Sequence, residues 1–144
     1  MHFVWHLRAA GIDPETGPEP ADVIVALRDR VKTLKEMAER ARVWYIGIET
    51  WDEAAVKKNL APAGDVLRAA RERLAASAEW TPDAVQAALQ ATAAALDIGI
   101  GKVAQPLRVA VTGTQVSPSI EHTVYLCGQD GALARIDAAL ARIG

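Results

Sequence analysis

The side chains able to do chemistry in this sequence are few, and most lack partners. His2 and His6 stand four residues apart, a spacing that places two imidazoles on one helix face as metal ligands. No Cys, Asp or Glu beside them supplies a third ligand, and the only other histidine is His122. Ser117 and Ser119 lie near His122, but no third residue is visible to orient a base, and a serine ahead of a helix serves the backbone. Gly99-Ile-Gly101 lacks the further glycine, the Lys-Ser/Thr pair and the preceding strand of a phosphate loop. Cys127 is alone, so it forms no internal disulfide. No catalytic residue and no metal site are expected. What remains is a surface for binding. Between Gly101 and Gly128 an isolated cation, Arg108, sits on an otherwise apolar segment, followed by a Ser117-Pro118-Ser119 turn able to present main-chain amides and short hydroxyls.

Bulk properties narrow the class. The chain has 144 residues, enough for one domain with a real core or two small helical subdomains packed together. Of these, 51% are hydrophobic, many of them alanine, which favours helix and close helix packing. A net charge of −2 speaks against gripping nucleic acid through bulk electrostatics. No signal-peptide pattern opens the chain and no apolar run approaches the roughly 20 residues of a membrane span, so a cytoplasmic compartment is expected.

The elements that would position the surface follow from periodicity and punctuation. His2 to Ala10 reads as a helix stopped at Gly11, followed by a stiff loop around Asp13-Pro14 and Gly17 to Pro20. Asp22 is expected to cap a long amphipathic helix with Val23, Leu27, Val31, Leu34 and Ala38 as its apolar stripe. The cations on that helix, among them Arg28, Arg30, Lys35, Arg40 and Arg42, interleave with Asp29, Glu36 and Glu39, the pattern of a solvated face. The stripe breaks near Trp44, Tyr45 and Trp51, whose burial habit marks a joint at 47–50. A short helix from Asp52 to Leu60 is expected next. Pro62 then opens a helix with Val66, Leu67 and Leu74 inward, and Thr81-Pro82 starts another with Val85, Leu89 and Leu96 buried. Arg108 to Thr112 reads by propensity as a strand entering a glycine turn. Ser117 as N-cap and Pro118 as first residue predict a helix with Ile120, Val124 and Cys127 on one face, closed by Gly128. Leu133, Ile136, Leu140 and Ile143 form the stripe of the last helix.

Gly101 to Gly113 with the Ser-Pro-Ser turn, Val31 to Arg42 upstream, His2 to Leu7 and Ala132 to Leu140 resemble the C-terminal anticodon-binding region of bacterial glutamyl-tRNA synthetases, across essentially the whole chain. The resemblance implies an all-α fold, which overrules the strand at Arg108. It implies two packed helical subdomains forming an anticodon-binding bundle, assigned to residues 1–48 and 49–144. The family's anticodon contacts fall on Arg30, Arg108, Ser117, Pro118, Ser119 and Ile120. Ile120 would offer an apolar side chain to splayed bases. Glu121 and His122 depart from the more apolar residues associated with that place. Arg30 matches the position that looks at the third anticodon base, where an arginine is associated with accepting cytosine and rejecting guanine. A guanidinium only donates; the Watson–Crick edge of cytosine offers acceptors, whereas that of guanine offers mainly N–H donors.

The adenylate-site signatures of class I synthetases, His-Ile-Gly-His-like and Lys-Met-Ser-Lys-Ser-like, are missing from this sequence. The resemblance therefore implies roughly the last third of a glutamate–tRNA ligase, inactive alone, with ATP and magnesium belonging to a catalytic domain elsewhere. The expected partner is glutamate-specific tRNA, bound by a monomer, with no DNA or membrane. The alternative is a stand-alone helical scaffold for a protein partner, with Trp44 or Trp51 as its apolar anchor and with indifference to Arg30 and Arg108. A neighbouring carboxylate claiming Arg108 would be the unremarkable fate of that side chain.

Overall fold

The computed structural model describes residues 2–143, and among them every regular element is helical. Helix α1 (His2–Ala9) buries Phe3 and Leu7 and is stopped by Gly11, whose φ of +80° suits glycine. Helix α2 (Pro20–Leu27) follows the proline loop, which is held by the Tyr45 hydroxyl donating to the Pro18 carbonyl at 2.8 Å. Glu19, extended and without a side-chain cap, precedes α2, and Pro20 supplies the first turn, where its missing N–H costs nothing. Asp22 is therefore not the cap. It lies inside the first turn and accepts the Tyr125 hydroxyl at 3.1 Å.

The expected long helix is two. After α2 the chain turns through 28–33 and restarts as α3 (Leu34–Tyr45), with Thr33 accepting from the Glu36 amide at 3.1 Å. Glu36 reaches back towards the Lys32 amide at 3.5 Å. This Thr-x-x-Glu start signal sits within an apolar stripe that continues across the break, so periodicity alone hides it. The corner it makes carries Arg30 at a bend, exposed, instead of along a helix side.

Beyond α3, Gly47 at φ +106° opens a linker whose Glu49 carboxylate receives two bonds from Arg42, at 3.0 and 3.1 Å. Asp52 caps α4 (Glu53–Ala55), which widens into a π turn at Val56–Leu60 and tightens at Ala61–Ala63 before α5 (Gly64–Ala75). Helix α6 (Pro82–Leu96) starts as expected, with Thr81 accepting from the Ala84 amide at 3.0 Å. Leu96, expected inward, is 37% exposed at its end. Helix α7 (Gly101–Thr112) covers the segment of strand-like propensity. Leu107, Val109, Ala110 and Val111 are all fully buried, and a helical turn buried on most of its sides reads as an apolar run broken only by Arg108. Helices α8 (Ile120–Tyr125) and α9 (Gln129–Ile143) finish the chain, separated at Gly128 with φ +74°. On α9 the buried line is Ala132, Ile136 and Ala139, with Leu133, Leu140 and Ile143 half-buried along its edge.

Two hydrophobic clusters result. One gathers Phe3, Leu7, Val23, Leu27, Met37, Ala41, Trp44 and, from far down the chain, Leu126. The other gathers Leu60, Leu67, Leu74, Leu89, Leu107, Val124 and Ile136. Tyr125 and Cys127 pack against both. Polar ties cross the seam as well. Trp44 donates through Nε1 to the Thr123 carbonyl at 3.0 Å, and Arg135 donates to the carbonyls of Val43 at 2.6 Å and Val111 at 2.8 Å.

Candidate nucleic-acid interface

The seam between the clusters is where α7 ends and the Ser117 turn begins. Gly113 closes α7 at φ +80° and is pressed against the linker after α3: a Cβ there would lie 2.7 Å from Ile48 Cγ2 and 2.9 Å from the Thr50 carbonyl. Only glycine satisfies both the left-handed backbone and that approach. The turn then runs from Thr114 to Ser119, and α8 starts at Ile120, two residues later than expected. Ser119, extended, precedes it without a side-chain cap bond. Ser117 does not cap the helix because its hydroxyl is committed elsewhere, to Arg108 Nε at 2.7 Å.

Arg108 is the centre of the arrangement. It is half-buried on α7, with Nε on Ser117, one terminal nitrogen on the Gln105 amide oxygen and the other 3.5 Å from the Pro118 carbonyl. Among the described residues no carboxylate oxygen lies within ion-pair distance of it, so the carboxylate fate does not materialise. Burial, and then the neighbouring charge of Arg30, hold its guanidinium below the usual arginine range, opposed by Glu121. It remains a cation at any physiological pH, with donors to spare.

The charge of Arg30, exposed at the corner between α2 and α3, thus acts on Arg108 although the two lie far apart in sequence. Beneath the turn, Thr123 is fully buried, and its hydroxyl lies 3.0 Å from Ser117 Oγ, 3.1 Å from the Pro118 carbonyl and 3.0 Å from the Ser119 carbonyl. Ser119 Oγ is 2.9 Å from His122 Nδ1, which is 3.6 Å from Glu121. Of the two residues that depart from the family pattern, His122 is thus engaged with the turn itself and Glu121 lies against His122. Arg108, Ser117 and Pro118 are joined directly, while Ser119 is tied to His122. Ile120 goes the other way. Only 7% exposed, it packs into the second cluster, against the expectation of an apolar side chain offered to bases.

A groove of about 340 Å³ opens beside the turn, lined by Leu27, Arg40, Trp44, Thr114, Val116 and Pro118 among others. Val116, 70% exposed, and Arg40, exposed and 3.3 Å from Glu36, were not singled out by the sequence. Neither carries a local signal: Arg40 sits within a run of ordinary surface charges, and Val116 lies in a turn without periodicity. The aromatic residues behave as core. Trp44 is 5% exposed and Trp51 is half-buried with the Arg142 guanidinium 5.0 Å from its ring centre, so the scaffold alternative loses Trp44 as a free anchor. Among the described residues no group of three or more His, Cys, Asp or Glu is placed to hold a metal, and no helix is long and apolar enough to cross a membrane.

Known proteins are similar to this chain in sequence and in fold. A glutamate–tRNA ligase of Xanthomonas campestris pv. campestris (strain B100) is 64% identical over 141 residues, covering 97% of this chain and 30% of the relative. One from Stenotrophomonas maltophilia (strain R551-3) is 59% identical over 143 residues, covering 99% of this chain and 31% of the relative. The chain thus spans about a third of the length of these relatives. The crystal structure of a glutamate tRNA ligase from Elizabethkingia meningosepticum CCUG26117 superposes with a TM-score of 0.86 at 20% identity, covering 99% of this chain and 28% of that one, which shows the shared fold. A family model described as an anticodon binding domain matches residues 2–140, and with a seam that displays a carboxylate-free arginine beside a hydroxyl-bearing turn, the chain belongs to the anticodon binding domain family.

Proposed function

We propose that this chain is the anticodon-reading region of a cytoplasmic glutamate–tRNA ligase, acting as a monomer, and that Arg30, Arg108 and the turn from Ser117 to Ile120 read the anticodon of glutamate tRNA. The observation that carries this is Arg108, fastened to the Ser117 turn at the seam with no carboxylate partner among the described residues and within the electrostatic reach of Arg30. Like charges brought together repel, and a polyanion entering the seam relieves that repulsion. Arg30, exposed at its corner, presents only donors, which suits the acceptors on the Watson–Crick edge of cytosine and clashes with the N–H groups of guanine. Arg108 is pinned by Ser117 and Gln105, so its planar cation is held ready to stack on or bond to an unpaired base. Ile120 supports the turn from beneath through its buried side chain.

The chain's part in the ligase reaction is selection and positioning of tRNA. ATP and magnesium are assigned to the catalytic region of the longer protein. The test is charging by the full-length ligase of glutamate tRNA and of a copy whose third anticodon base is changed from cytosine to guanine, with native Arg30 and with Arg30→Gln. The native enzyme is expected to prefer the cytosine tRNA by about 10-fold or more, the worth of a single bidentate base interaction, and the variant to lose most of that preference. Equal responses of the two enzymes would reduce Arg30 to surface charge.

A further inference from the structure

In a protein of net charge −2, one part of the surface carries a single sign. From Ile98 to Ile120 there is no Asp or Glu, and the only ionised side chains are Lys102 and Arg108. From Ala54 to Gly64 there is again no carboxylate, and the ionised side chains are Lys57 and Lys58. These segments pack together as α7 and the π turn before it. Asn59 is 3.4 Å from Gln115, which ties the π turn to the loop leaving α7. Between them lies an open groove of about 560 Å³, lined by Lys58, Asn59, Lys102, Gln105 and Pro106 among others.

Gln105 makes this groove continuous with the seam, because it lines the groove and its side-chain oxygen also receives a bond from Arg108. Lys57, Lys58 and Lys102 are exposed, and none has an acidic partner within ion-pair distance among the described residues. Some exposed arginines of the chain do have one, Arg40 with Glu36, Arg68 with Asp65 and Arg142 with Glu53, whereas Arg8, Arg28 and Arg30 share the unpaired state among the described residues. Unpaired ammonium groups beside amide side chains form a surface for a phosphate chain, with the nearest carboxylates in sequence to its lining being Asp65, next to Val66 and paired with Arg68, and Asp97, next to Ile98. A cationic partner would find no complement there, and the apolar remainder of the lining, Pro62, Ala63, Val66, Ile98 and Pro106, lies alongside the two lysines.

We propose that Lys58 and Lys102 form a phosphate track that holds the backbone of the same tRNA next to its anticodon loop, adding affinity without reading a base. This rests on the anticodon-reading function proposed above. Lysine suits the role, since a mobile point charge follows a backbone without demanding one base. The track gives an acidic domain a local place for a polyanion: Lys57, Lys58 and Lys102 lie on two carboxylate-free segments that lead to Arg108.

Salt titration of tRNA binding by the full-length ligase tests this, with Lys58→Gln and Lys102→Gln alone and combined. Each tRNA is used in two forms, with cytosine or guanine at the third anticodon position. Each substitution is expected to weaken binding of both forms by the same factor, about 3- to 10-fold at low salt. Each should also lower the slope of log K against log salt by about 0.7–0.9, the change that follows when one phosphate is no longer neutralised by the protein. Lys58→Arg should keep the slope, and Arg8→Gln, on the opposite cluster beside Glu15 and Glu19, should leave it unchanged. Unchanged slopes in the Lys58 and Lys102 variants would overturn the track while leaving the reading site standing. A change in the ratio between the two tRNAs would overturn it in favour of base recognition. If Arg30→Gln and Arg108→Gln alter neither binding nor that ratio, the anticodon reading itself fails.

Discussion

Arg108 donates through Nε to the hydroxyl of Ser117 at 2.7 Å, so a helix and the turn that leaves it are fastened by the same side chain that faces the seam. The serine expected to cap a helix instead orients a cation. Ser117→Ala removes that acceptor and one of the three oxygens near the Thr123 hydroxyl, but deletes little buried surface. The expected outcome is a loss of tRNA affinity of about 1–2 kcal/mol, roughly 5- to 30-fold, with a melting temperature only slightly lowered, because Thr123 keeps two carbonyl partners. Fluorescence anisotropy with labelled tRNA and a thermal melt check the two halves. A melt that falls as far as the affinity would make Ser117 a fold residue and not a positioning one.

Arg135 on α9 binds the carbonyls of Val43 and Val111, which lie in the last turns of α3 and α7. Those carbonyls have no partner within their own helices, and a positive charge is favoured there. One side chain thereby closes two helix ends from different clusters at the edge of the reading seam. Arg135→Met is expected to cost about 3 kcal/mol, from two charge-assisted bonds each worth about 1.5–3 kcal/mol less partial rehydration of the carbonyls. For a chain of this size that lowers Tm by roughly 10 °C. Arg135→Lys should recover only part of it, since a single ammonium does not span both carbonyls as the planar fork does. Differential scanning calorimetry of the three proteins decides, and equal melting of Lys and Arg forms would contradict the two-carbonyl role.

Cys127 lies between the two clusters, 3.4 Å from the Thr123 carbonyl, and burial pushes its thiol up from 9.0 to about 11. The folded thiol holds its proton more tightly than the unfolded one. Its contribution is therefore fully present below pH 9 and lost as pH rises from about 9 to about 11. Tyr45, pushed up to about 12 by burial and by Glu19 and Asp22, acts in the same direction at higher pH. Urea unfolding is expected to show stability falling above pH 9, with Cys127→Ser or Cys127→Ala flattening the first part of the fall. At pH 8 a thiol reagent should modify the unfolded protein far faster than the native one, because the thiolate is the reacting form. Rapid native modification would contradict the raised thiol, since Cys127 itself is half-buried.

Features set within four residues of one another were legible in the chain. The stops at Gly11 and Gly128, the Thr81-Pro82 start and the helical character that the family resemblance assigned to Arg108–Thr112 all stand in the structure. So does the isolation of Arg108 from any carboxylate, which follows from a stretch that contains none. The Thr33-x-x-Glu36 cap was equally local but lay hidden under an apolar stripe that kept its period across the break. Local signals therefore specify a helical chain that displays Arg108 beside a hydroxyl-bearing turn. Packing alone decided the rest: the action of the Arg30 charge on Arg108, the diversion of Ser117 from capping to orienting, the burial of Ile120 and the reach of Arg135 across two helix ends. The physical reason is range. Capping and periodicity act through bonds that span a turn, whereas these relationships depend on which helix faces meet, which is settled by burying two hydrophobic clusters against each other.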